Sequence, residues 1–115
     1  MNDVHFPWFI LVPDREGISE IYELDSNDQQ QLITESSTLS RILHTGFDAD
    51  KINIGALGNI VPQLHVHHIA RYKDDAAWPG PVWGAVEAIT YKDNERAQVI
   101  DKLKHHLTKD FTFVV

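Results

Sequence analysis

The chain is predicted to fold as an α+β domain, a mainly antiparallel sheet carrying two helices, and three features predict it. Residues 51–57 and 63–72 both read as strands, and Gly58-Asn59-Ile60-Val61-Pro62 lies between them as a turn, the pattern of an antiparallel pair. Leu32, Ile33, Leu39, Ile42 and Leu43 recur at helical spacing until Gly46, as a half-buried helix requires. Ala97, Ile100, Leu103 and Leu107 repeat that spacing over 94–107. Strands and helices in this order suit helices laid on an antiparallel sheet.

The remaining elements follow in chain order. Trp8 to Val12 is a short apolar run closed by Pro13, read as a buried strand. Glu20 to Leu24 alternates apolar and polar residues and reads as a weaker second strand. Ser26-Asn27-Asp28-Gln29 has the form of a capping box, with Ser26 accepting from the first turn and Gln29 reaching back. Asp74 to Gly84 is a loop containing Trp78, Pro79, Gly80, Pro81 and Trp83. A further strand is expected over Val86 to Thr90, and Phe111 to Val115 makes a short apolar end.

With 115 residues the sequence is expected to be a single domain over 1–115, large enough to bury roughly two-thirds of its unfolded surface. It has no cysteine, which excludes disulfides, thiolate metal sites and a catalytic thiol. No basic leader precedes an apolar run, and no stretch approaches the roughly 18 apolar residues of a membrane span. The expectation is a cytoplasmic protein without a membrane partner. A formal charge of −7 argues against a nucleic acid duplex as partner, because phosphate contacts need clustered Lys and Arg. It leaves room for a single nucleotide, which a few N–H groups and imidazoles can hold.

Gln63-Leu64-His65-Val66-His67-His68-Ile69 is the segment richest in chemistry. Side chains on a strand alternate between faces, so His65 and His67 share one face with Gln63, while Leu64, Val66 and His68 share the other. Two imidazoles on one face of a rigid strand suit nucleophilic or metal chemistry. The glycine turn before them can present backbone N–H groups to an anion. A blander reading is a strand bearing two satisfied polar residues. A metal site would need His44 or a carboxylate such as Asp74 to complete the shell, and no third ligand stands at diagnostic spacing; no metal and no cofactor is assigned. His68 is expected against the helices or beside a carboxylate. His105 and His106 fit a solvated helix C-terminus, where positive charge is favourable.

From Gly58 to Ile69 the chain resembles the histidine-triad (HIT) superfamily of nucleotide hydrolases and transferases. Its pattern is His-φ-His-φ-His-φ-φ, with φ hydrophobic, after a Gly-polar-φ-φ turn. Gly58 and Asn59 match the turn, His65 the middle histidine and His67 the last. Gln63 occupies the place of the first histidine, and His68 stands where a hydrophobic residue is usual. Ile52-Asn53-Ile54-Gly55 looks like the family strand before the phosphate turn, and Phe9-Ile10-Leu11-Val12-Pro13 like its nucleotide-lining strand. The likeness spans roughly the first seventy residues.

The resemblance implies a HIT-like fold and attack by a histidine on the α-phosphate of a nucleoside polyphosphate, such as a dinucleoside polyphosphate, or of a phosphoramidate. His65 is the implied nucleophile, oriented by the backbone carbonyl at Gln63, while His67 and Asn59 donate to phosphate oxygens. Asn53 and Gly58 are implied at the phosphate or ribose, and Phe9 and Leu11 at the base, although a core strand would use the same apolar residues for packing. Trp78 and Trp83 suit a lid over the site, or plain packing. Relatives in the superfamily commonly pair, so a homodimer is implied. A nucleotide-binding protein of this fold with little turnover is the alternative.

Overall fold

The computed structural model describes residues 1–107 and 111–113. Strands β1 (Trp8–Leu11), β2 (Lys51–Gly55) and β3 (Val66–Arg71) form an antiparallel sheet in the order β1-β3-β2. Helices α1 (Ser26–Gly46) and α2 (Asp93–His106) follow the predicted positions within about a residue. The α+β class and the antiparallel pair around the Gly58 turn are as expected. Gly58 has φ 70°, a left-handed conformation that side chains resist. With β3 in the middle, its six residues are all buried, and its two faces lead to two different environments.

One face of the sheet meets the helices. Leu39, Ile42 and Leu43 of α1, Leu103 of α2, Phe47, Ala49 and Ala70 form the largest apolar cluster, with Phe9, Leu11 and Ile52 packed against it. Ala97 is exposed, so α2 buries the narrower stripe of Val99, Leu103 and Leu107. His68 lies fully buried on this face. Its Nδ1 is 3.1 Å from the Val66 carbonyl and its Nε2 is 2.7 Å from Ser36 Oγ. A carbonyl can only accept, so Nδ1 carries the proton and Nε2 accepts from the serine.

Burial lowers the pKa of His68 from the ordinary imidazole value. Below about pH 6.5 the unfolded chain therefore binds a proton that the folded chain refuses, and stability rises with pH there. The stabilisation is complete above about pH 6.5 and is lost as pH falls toward the lowered folded-state pKa. Urea unfolding between pH 7.5 and 5 should show this loss, and the slope should flatten in His68→Leu. An equally steep slope in that variant would assign the effect to other groups.

Three local expectations are corrected. Glu20 to Leu24 is not a strand: Ile21–Glu23 forms a 3-10 turn. The Glu23 carboxylate accepts from the backbone N–H groups of Ser19 and Glu20 at 3.1 and 2.9 Å, and this local capping wins because no neighbouring strand offers a ladder. The cap of α1 is Asp25, whose carboxylate accepts from Asp28 N–H at 2.8 Å; Ser26 is the first helical residue. An aspartate caps as well as a serine and adds a negative charge at the positive end of the helix. Gln29 does not close a capping box: its Nε2 donates instead to the Leu24 carbonyl at 2.9 Å. Val86 to Thr90 forms no strand and lies outside the sheet, tied to the N-terminal segment by Val4 N–H to the Ile89 carbonyl at 2.8 Å. The apolar end is described only over 111–113, where Phe113 packs on the helix-side cluster; residues 114–115 lie outside the described residues. No helix among the described residues is long and apolar enough to cross a membrane.

Candidate active site

The other face of the sheet carries the paired histidines. His65 and His67 have ring centroids 5.2 Å apart at 64°, and the register sets His67 beside Ile10 on β1 and Gly55 on β2. His65 Nδ1 lies 2.7 Å from the Gln63 carbonyl. The carbonyl must accept, so Nδ1 carries a proton, and in the neutral ring Nε2 keeps its lone pair. Gln63 takes part through its backbone. Its side chain turns away and donates from Nε2 to the Arg15 carbonyl at 3.0 Å, pinning the loop after β1.

His67 is enclosed by aromatic rings. The indole Nε1 of Trp8 donates to His67 Nδ1 at 2.8 Å, and Trp8 and Trp83 meet the imidazole edge-on at centroid distances of 5.6 and 5.5 Å. Burial first, then the neighbouring His65, lowers the pKa of His67. His67 is thus neutral, with its proton on Nε2. Trp83 lies over Gly55, where an added Cβ would stand 2.9 Å from Cη2 of the indole. Only glycine permits that approach, well inside ordinary van der Waals contact.

Trp83 is carried by the loop after β3, and a buried ion pair ties that loop down. Arg71 at the end of β3 donates to Asp75 from Nε and Nη2 at 2.7 and 3.0 Å, and from Nη1 to Asn53 Oδ1 at 2.7 Å. Asp75 also accepts from the backbone N–H groups of Tyr72, Ala77 and Trp78. Burial works to raise the Asp75 pKa, but Arg71 and these N–H groups overcome it and hold the carboxyl well below the usual range. The guanidinium lies between Phe6 and Trp78, 5.7 and 5.6 Å from their ring centroids.

The residues singled out from sequence divide accordingly. His65 and His67 stand together, and Asn53 shares their face but is engaged by Arg71. Gly58 and exposed Asn59 lie in the turn leading to His65. Phe9 and Leu11 point to the opposite face, among the helix-side apolar residues, with Phe9 edge-on to Phe47. They also border a groove of about 1090 Å³ along the open edge of β1, which neither His65 nor His67 lines. Trp83 covers the histidine face, as a lid reading anticipates, and Trp78 covers Arg71.

The sequence reading missed Trp8, Arg71 and Asp75. Strand alternation could have found Arg71, which falls in phase with His65 and His67; the Trp8 bond depends on strand pairing across 59 positions. Among the described residues no three His, Asp or Glu side chains converge to hold a metal ion. His44 is exposed on α1.

Solved structures match nearly all of the chain. It is 47% identical to a histidine triad (HIT) protein from Sinorhizobium meliloti 1021, with a TM-score of 0.90 over 93% of this chain and 79% of that one. A histidine triad protein from Bradyrhizobium japonicum is also 47% identical, with a TM-score of 0.89 over 92% and 79%. A histidine triad protein from Marinobacter aquaeolei VT8 is 53% identical, with a TM-score of 0.90 over 93% and 78%. A comparison with curated proteins finds no match. The HIT domain family matches residues 1–74, which include both strands flanking the Gly58 turn and the whole histidine segment, and the chain belongs to the HIT domain family.

Proposed function

We propose that the protein is a nucleotide hydrolase or nucleotidyl transferase acting at the α-phosphate of a nucleoside polyphosphate, such as a dinucleoside polyphosphate, or of a nucleoside phosphoramidate. The observation that carries this reading is the 2.7 Å contact between His65 Nδ1 and the Gln63 carbonyl, which in the neutral ring puts the lone pair on His65 Nε2, beside the Nε2–H of His67. A neutral imidazole with a fixed tautomer is a competent nucleophile toward phosphorus. Its Nε2 forms a bond to the α-phosphorus as the bond to the leaving oxygen breaks, and the leaving group departs with the electron pair. The imidazole of the nucleotidyl-histidine becomes cationic, and the Gln63 carbonyl accepts a stronger hydrogen bond from its Nδ1–H. Water or another acceptor then opens the P–N bond and returns His65 neutral. His67 donates to a non-bridging phosphate oxygen, where negative charge gathers.

In this scheme Gln63 serves through its carbonyl, so the absence of an imidazole there leaves the chemistry intact. Gly58, Asn59 and Asn53 approach the phosphate or ribose from the turn and from β2. The base slot assigned to Phe9 and Leu11 would have to open at the edge of β1, since both side chains pack on the helix side. His65 and His67 supply nucleophile and charge stabilisation themselves, so the protein holds no resident metal or cofactor in this reading, and its setting is cytoplasmic.

The test is covalent trapping. Metal-stripped protein mixed with a dinucleoside polyphosphate labelled at the α-phosphate and quenched in alkali should carry label on His65 at near-stoichiometric amounts. Tight nucleotide binding without transferred label would establish the alternative, a HIT-family nucleotide binder with little turnover. Label recovered only after zinc is added back would favour a metal hydrolase.

A homodimer belongs to the same proposal. Trp78 and Trp83 are occupied within the chain, whereas Ile60, 94% exposed, and Val61 and Leu57 present apolar surface on the turn beside the site. A two-fold axis would bury the same patch on both copies. Sedimentation at micromolar concentration should give twice the 13.1 kDa of one chain; a species of single-chain mass would refute pairing.

A further inference from the structure

We propose that Trp8 is a positioning residue that holds His67 in the Nε2–H tautomer, aimed as a donor at the phosphate. The inference rests on the proposed function for what His67 faces, but the Trp8 to His67 bond itself does not depend on it.

An indole nitrogen donates and never accepts. The 2.8 Å contact from Trp8 Nε1 therefore requires His67 Nδ1 to be unprotonated, which puts the single proton of the neutral ring on Nε2. A contact between an imidazole and a hydroxyl would leave the tautomer open; this one decides it. The strand pairing makes the contact available, because Trp8 pairs with Ile69 and so stands diagonally across from His67 on the same face, within reach of a long aromatic side chain. Both partners are buried, at 7% exposure each, so water does not compete for Nδ1.

The ring is held in place as well as oriented. Trp8 and Trp83 meet it edge-on at 62° and 87°, and His65 lies against it at 64°. Trp8 is itself fixed by edge contacts to Phe6 and Trp83 at 6.4 and 5.9 Å. Turning the His67 ring over would break the indole bond and leave a buried N–H without an acceptor, at the full desolvation penalty of that group. The two histidines thus receive opposite tautomers from opposite kinds of partner. A carbonyl acceptor at Gln63 leaves His65 Nε2 bare for attack, and an N–H donor at Trp8 leaves His67 Nε2 protonated for donation.

Ring-nitrogen NMR tests this without substrate. In the wild-type protein His67 should show the Nε2–H tautomer almost alone, with a scalar coupling across the Trp8 Nε1–H···Nδ1 hydrogen bond. Trp8→Phe keeps an aromatic ring there and removes the donor together with part of the indole's volume. It should let the Nδ1–H tautomer reach about a third or more of the population and lower kcat about tenfold with KM within about twofold, and it should leave the His65 tautomer unchanged. A protonated Nδ1 on wild-type His67, or no coupling to Trp8, overturns the proposal even if the variant fails to fold. So does a His67 tautomer in Trp8→Phe identical to wild type. If the tautomers behave as stated but neither protein turns over diadenosine tetraphosphate or adenosine phosphoramidate, the role of Trp8 stands and the proposed function falls.

Discussion

His65→Ala is expected to reduce nucleotide turnover at least a thousandfold, about 4 kcal/mol of barrier, while leaving nucleotide affinity within about tenfold. The size of the effect follows from the role. Removing the nucleophile deletes the covalent route, and nothing else on that face offers an unprotonated nitrogen at the same place, because the Nδ1 of His67 is occupied by Trp8. Folding should survive, since His65 is only partly buried and lies just ahead of β3. Steady-state rates with a dinucleoside polyphosphate, together with calorimetric binding of AMP, separate the two quantities. A variant retaining a tenth of the rate would mean that another group attacks phosphorus. Loss of binding in parallel with rate would make His65 a ligand-binding residue only.

Asp75→Ala is expected to cost roughly 3–5 kcal/mol of folding free energy, the range for stranding one member of a buried ion pair. The side chains of Arg71 and Asp75 are only 2% and 3% exposed, so the unpaired guanidinium could not recover its solvation in water. The substitution also releases the backbone N–H groups of Tyr72, Ala77 and Trp78. For a chain of this size the melting temperature should drop on the order of 10–20 °C. Because that loop carries Trp83 over Gly55 and His67, the surviving folded protein should also lose activity. Arg71→Met combined with Asp75→Leu should regain part of the stability, since an apolar pair avoids the desolvation of two charges. A single variant within 0.5 kcal/mol of wild type, on the scale of an ordinary surface change, would show that the loop is held by its packing alone.

Reading elements from the sequence worked where one local pattern had one outcome. The helical spacing of Leu32, Leu39, Ile42 and Leu43 and the alternation through β3 each specify a buried face wherever the chain goes. Glu20 to Leu24 shows the limit. Its alternation suited a strand, but a strand needs a partner, and Glu23 offered a nearer acceptor for the backbone N–H groups of Ser19 and Glu20. Val86 to Thr90 failed for a related reason: it joins no strand of the sheet, and Ile89 instead accepts from Val4 N–H and donates to the Asp3 carboxylate.

The sequence by itself determined that His65 and His67 share a face, that His68 faces the other way into the helices, and that a glycine turn precedes them. Those are consequences of the two-residue period of a strand and of the backbone freedom of glycine, and they need no knowledge of the rest of the chain. Only the tertiary structure decided which nitrogen of His67 carries the proton. The Gln63 carbonyl lies within the same local segment as His65, but the Trp8 indole reaches His67 from 59 residues away, and the ion pair that seats the Trp83 loop needs Asn53 of β2 beside Arg71 of β3. A tautomer is set by whichever donor or acceptor lies within about 3 Å, and a neighbour at that distance is chosen by strand register and packing, not by spacing along the chain.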